Sequence, residues 1–126
     1  MSHRNMCVLT GTLLVTQAGI VNKGGVDLLE VIGTVDTGPV HMGGRHRILL
    51  YGKNARAVSA FVEANEGDGM EVTVSGGLYS GENGSQVYVD RISFHVRESV
   101  VEKAMNTLRG AEPRSRRGTG PLKQPV

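Results

Sequence analysis

The chain has 126 residues, 39% of them hydrophobic and 4% aromatic, with no tryptophan and a formal charge of +2. That length suits one domain with an aliphatic core and is too short for two. The single cysteine excludes an intramolecular disulfide and a cysteine zinc cluster, and no apolar run approaches the ~20 residues of a membrane span.

NMCVLTGTLLVT (5–16) reads as a strand with a break or bulge at Gly11, and Cys7 in its apolar run reads as a buried structural thiol. QAGIVNKGG (17–25) reads as a turn region. VDLLEVIGTVDT (26–37) is a second strand, interrupted at Gly33. GPVHMGGRH (38–46) is a glycine-rich loop tip, and RHRILLYG (45–52) is a third strand. In NARAVSAFVEANEGDG (54–69), Ala55, Val58, Phe61 and Val62 recur at helical spacing. This predicts an amphipathic helix of about ten residues, with Asn54 as N-cap and the 65–67 stretch as its stop.

MEVTVSGGLYS (70–80) alternates Met70, Val72 and Val74 with polar residues, which predicts a half-buried strand ending in a Gly-Gly bend. GENGS (81–85) is a hairpin turn and QVYVDRISFHV (86–96) a fifth strand. ESVVEKAMNTLRG (98–110) predicts a short helix or helical extension, and AEPRSRRGTGPLKQPV (111–126) a disordered basic tail. Residues 1–96 carry seven Lys and Arg against nine Asp and Glu, whereas residues 97–126 carry seven against three. Basic character therefore gathers at the C-terminal end, and only local placement can argue for a polyanionic partner. The N-terminal segment lacks the long apolar stretch of a secretory signal, so the expected setting is a reducing compartment.

Three strands, one helix and two strands predict an all-β protein: a five-stranded OB-fold Greek-key barrel with one α-helix between strands 3 and 4. An open α+β sheet is the rival. The glycine-broken strands favour the barrel. The expected organisation is an OB domain over 1–97 and a C-terminal extension over 98–126.

The stretch YGKNARAVSAFVEANEGDGMEVTVSGGLY resembles the middle of bacterial-type single-stranded DNA-binding proteins, in which an aromatic-Gly-Lys closes strand three before a helix and a Val-x-Val-x-Gly strand. NMCVLTGTL is similar to that family's opening strand, and GENGSQVYV to its last hairpin. The resemblance runs in order over residues 5–96 and is most specific over 46–78. It implies non-catalytic binding of single-stranded DNA by the outer face of the sheet, with strand three contributing heavily, in replication, recombination or repair. Side-chain alternation puts Arg45, Arg47, Leu49, Tyr51 and Lys53 on one side of that strand and His46, Ile48 and Leu50 on the other. Cations neutralise phosphates, and an aromatic ring stacks an unpaired base for about 1–3 kcal/mol. A merely solvated strand face is the plainer reading of the same residues.

This chain departs from the family in two ways. It has no tryptophan platform, and Arg45 stands where a tryptophan is common. Tyr79 and Tyr88, flanking the last hairpin, are candidate stacking residues or structural tyrosines. The end of the chain, PLKQPV, lacks the acidic, phenylalanine-ended peptide through which family members recruit partners. The expected DNA contacts are thus Arg45, Arg47, Tyr51, Lys53, Tyr79 and Tyr88, more electrostatic than stacked. No histidine spacing or nucleophile–base set points to catalysis, a metal or a cofactor. The resemblance also implies a cytoplasmic, nucleoid-associated homotetramer, with a dimer as the alternative, and replication or recombination proteins as further partners. The competing function is an OB-fold protein–protein adaptor in replication restart or assembly, with weak or no DNA binding.

Overall fold

The computed structural model describes residues 5–39, 43–66, 69–82 and 84–111. Strands β1 (Cys7–Lys23), β2 (Val26–Asp36), β3 (Arg45–Tyr51), β4 (Met70–Gly81) and β5 (Gly84–His95) close into a barrel in the order β1-β2-β3-β5-β4. Helix α1 (Lys53–Ala64) lies between β3 and β4, and α2 (Glu98–Ala111) follows β5. All neighbouring strands are antiparallel except β3 and β5, which pair in parallel through Arg47–Gln86, Ile48–Val87 and Leu49–Tyr88. This is the OB-fold, and the open-sheet alternative is excluded.

The period-two alternation builds the interior. Leu13, Val31, Val35, Ile48, Leu50, Val72, Val74 and Val87 point inward and are almost fully buried. Each such side chain removed from water stabilises the fold by roughly 1.5–3 kcal/mol. Helix α1 closes the barrel with Ala55, Val58, Ala60, Phe61 and Ala64, and the Phe61 ring stacks on Phe94 of β5 at 3.9 Å. Cys7 is half-buried against this core. Helix α2 lies where a short helix or helical extension is expected. It packs along α1, and Val100 and Ala104 belong to the same core cluster as the barrel residues.

Several local expectations are corrected. Residues 17–23, read as a turn, continue β1, which pairs with β2 as far as Lys23–Val26, and only Gly24 and Gly25 make the turn. The irregularity in β1 lies at Thr16, where pairing shifts between Val15 and Gln17 and the Thr16 hydroxyl bonds the Ile32 carbonyl at 3.0 Å. Gly11 is in regular register with Val72. Its glycine is demanded by β2, since a Cβ there would lie 2.1 Å from the Asp36 carbonyl oxygen. Asn54 is not the N-cap of α1. Gly52, with φ 63°, holds that position and makes no side-chain cap bond, while the Asn54 amide donates to the Asp90 carbonyl at 3.1 Å. Asn65 does end α1. The Gly-Gly bend of β4 is a register shift between Ser75 and Gly76. The predicted tail beyond Ala111 lies outside the described residues.

Candidate nucleic-acid interface

Directly paired residues on neighbouring strands point to the same side of a sheet, so the register defines the outer surface without further assumption. Arg45, Arg47, Leu49 and Tyr51 form the outward row of β3. Asp36, Thr34, Ile32 and Glu30 of β2 lie opposite them in that order. On the other flank Gln86 and Tyr88 of β5 pair with Arg47 and Leu49, and Tyr79 of β4 pairs with Gln86. Parity therefore assigns this row as expected up to Tyr51. Leu49, although outward, is only 6% exposed, because Ile32 and Tyr88 flank it in register. It forms an apolar floor between the polar residues.

Lys53 does not continue the row. The strand ends at Tyr51, the chain turns at Gly52 with positive φ, and Lys53 begins α1 as an exposed residue. The parity that grouped it with Arg45 and Arg47 does not reach past the turn.

The three tyrosines of the chain meet on this face. Tyr51 and Tyr88 are nearly parallel, with ring centroids 6.3 Å apart, and Tyr79 stands edge-on to Tyr88 at 5.7 Å. Tyr79 is 53% and Tyr88 38% exposed, which leaves ring surface open to a ligand. The two arginines differ. Arg45 reaches Asp36 Oδ2 at 3.8 Å, the one ion pair among the described residues. Arg47 stands between Thr34 and Gln86 with no carboxylate opposite it. Its charge is thus the freer of the two.

Two further residues join the face that parity in β3 could not reveal. Lys23, at the end of β1, holds Nζ 5.0 Å from the centroid of the Tyr51 ring, a cation–π contact. Glu30 accepts a hydrogen bond from the Tyr51 hydroxyl at 2.8 Å. Partial burial, followed by the Glu30 carboxylate, pushes the Tyr51 phenol well above its ordinary range, so it stays a neutral donor at physiological pH. A sequence signal for Lys23 existed in the NKGGVD segment, a strong two-residue hairpin turn. Reading the arm as a strand from that turn back to Thr16 would have set Lys23 on the outer side.

Among the described residues no group of three or more His, Cys, Asp or Glu is gathered as a metal site, and no helix is long and apolar enough to cross a membrane.

No protein-family model matches the sequence, and no curated protein matches it. Solved structures do. The fold is similar to the SSB domain of a protein from Synechococcus sp., with TM-score 0.53 and 18% identity over 75% of this chain and 99% of that one. It is similar to a deletion mutant of the single-stranded DNA binding protein from Thermus aquaticus, with TM-score 0.56 and 14% identity, covering 75% of this chain and 42% of that one. It is also similar to the protein PriB from Ralstonia solanacearum, with TM-score 0.52 and 14% identity, covering 75% of this chain and all of that one. At such identities the likeness is one of fold.

Proposed function

We propose that this chain binds single-stranded DNA on the outer face of its barrel, without catalysis, through phosphate neutralisation aided by limited base stacking. The observation that carries the reading is the convergence of Arg47, Arg45 and Lys23 with the rings of Tyr51, Tyr88 and Tyr79 on one surface. Cations alone would suit any polyanion. Exposed rings beside them favour unpaired bases, whose faces a duplex keeps stacked. Lys53 and the basic residues of the sequence beyond Ala111 supply further positive charge in the same reading. Likeness of fold to proteins described as single-stranded DNA binding supports it.

The setting that fits is replication, recombination or repair in the cytoplasm, with proteins of those processes as partners. Self-association, as a tetramer or a dimer, is part of the proposal. Met6, just before β1, and Val8 and Leu14 on its outer side are 63%, 59% and 52% exposed, an apolar surface that a second copy would cover. The same residues favour the adaptor alternative, in which a different protein sits there and DNA is not bound.

Titration with oligo-dT, with a duplex of equal length as competitor, at about 50 and 200 mM salt separates the two readings. The DNA reading expects preference for the single strand and affinity that falls steeply with salt. Absence of oligo-dT binding at the lower salt would reject it in favour of the adaptor. The same titration on a chain ending at Ala111 isolates the contribution of the basic tail, because it leaves α2 in place.

A further inference from the structure

Phosphate attraction leaves one residue of this face unexplained: Glu30, a carboxylate opposite Tyr51 at the end of the β3 row. In the register of β2, Glu30 stands between Tyr51 of β3 and Gly19 of β1. Its Oε2 accepts from the Tyr51 hydroxyl at 2.8 Å, and Oε1 takes no hydrogen bond among the described residues. No cation is paired with it there, since the one ion pair joins Arg45 and Asp36. On its other flank Gly19 offers no side chain, and a Cβ at that position would meet no atom within 4 Å. A half-buried acceptor thus borders open space beside the Tyr51 ring.

An unneutralised carboxylate repels a phosphate chain. It gains only from a ligand that brings hydrogen-bond donors. Cytosine carries an exocyclic amine, the group from which Glu and Asp side chains accept in base recognition. Thymine presents a single N–H between two carbonyl oxygens, both of which a carboxylate repels. We infer that Glu30 is a base-reading residue: its carboxylate accepts from the exocyclic amine of a base seated beside Tyr51, tilting the face toward cytosine and away from thymine. The inference rests on the single-strand reading above and deepens it.

The informative quantity is the ratio of affinities for oligo-dC and oligo-dT, because intrinsic differences in strand flexibility cancel when variants are compared. Oligomers of about 35 nucleotides exceed the ~16 that one OB-fold spans. Glu30→Gln keeps an acceptor for the Tyr51 hydroxyl and exchanges the charge for an amide that can donate to thymine. It should lower the dC-to-dT ratio about tenfold, with dT affinity itself rising. Gly19→Val should lower the ratio too, by placing a branched side chain in the open space beside Glu30. Tyr51→Phe, which frees Oε2 and keeps the ring, should leave the ratio at or above that of the wild type. If Glu30→Gln weakens both oligomers equally, the residue merely holds Tyr51 in place and the inference is overturned while single-strand binding stands. An unchanged ratio with unchanged affinities overturns it equally. If the wild type binds neither oligomer, the underlying reading fails and the inference falls with it.

Discussion

Tyr51 makes two contacts that act in opposite directions on a ligand. Its hydroxyl is fixed by Glu30, which orients the ring, while Lys23 lies over the ring face and has to move if a base is to stack there. Arg47 has no such internal competitor, whereas Arg45 already spends part of its field on Asp36. A surface pair of that length contributes about 0–1 kcal/mol to stability, yet it places a carboxylate beside any phosphate that Arg45 would hold. Arg47→Ala should therefore weaken oligo-dT binding more than Arg45→Ala, and should reduce the salt slope by about one. Equal losses would mean that Asp36 swings away when DNA binds. Alkaline titration gives a second test. The raised Tyr51 phenol means that the folded state holds this proton more tightly than the unfolded chain. The resulting stability is fully present below the ordinary phenol range and is lost as pH rises through the folded value. In Glu30→Gln, tyrosinate absorbance should show Tyr51 ionising at lower pH than in the wild type.

At the scale of elements, β4 and β5 depend on one close approach. A Cβ on Gly76 would lie 1.9 Å from the Tyr88 carbonyl oxygen, at the point where the register shifts. Gly76→Ala should destabilise the protein by about 3 kcal/mol, measured by denaturant unfolding, and should lower DNA affinity through the displaced Tyr88. Elements of this kind differ in how plainly the sequence announces them. The Met70–Val74 alternation, the helical spacing from Ala55 to Val62 and the outward set Arg45, Arg47 and Tyr51 are local patterns, and each appears in the structure as expected. The long β1 arm is different. Gln17, Ala18 and Gly19 have weak strand propensity, and what holds them is pairing with Ile32, Val31 and Glu30 across the hairpin. Tertiary pairing overrode local preference there, and Lys23 and Glu30 entered the face through that pairing. Lys53 lies off the row for the converse reason. Strand alternation stops at Tyr51, two residues before Lys53, at a glycine whose positive φ turns the chain into a helix.

For the whole molecule, the barrel and both helices share one interior, since Phe61, Val100 and Ala104 pack in a single cluster with the strands. In the proposal, binding and self-association draw on one cooperative unit and on adjoining surfaces: of the exposed apolar residues Met6, Val8 and Leu14, Leu14 pairs with Thr34, which in turn pairs with Arg47 on the ligand face. Sedimentation should detect an oligomer for the wild type and a lighter species for Val8→Asp, whose side chain is too exposed for the change to disturb the core. Loss of oligo-dT affinity in that variant, beyond the loss of multivalency, would show that the two adjoining surfaces are coupled.

The clustering of Tyr51, Tyr79 and Tyr88 gives the protein an optical property. The chain has no tryptophan and three tyrosines, and all three lie in ring contact on this one surface. Its tyrosine emission therefore originates entirely where the ligand is proposed to sit. Excitation energy can pass between rings this near, so a base that quenches one should dim the whole signal. The unlabelled protein is thus its own fluorescent probe, and its emission is silent about every other part of the molecule.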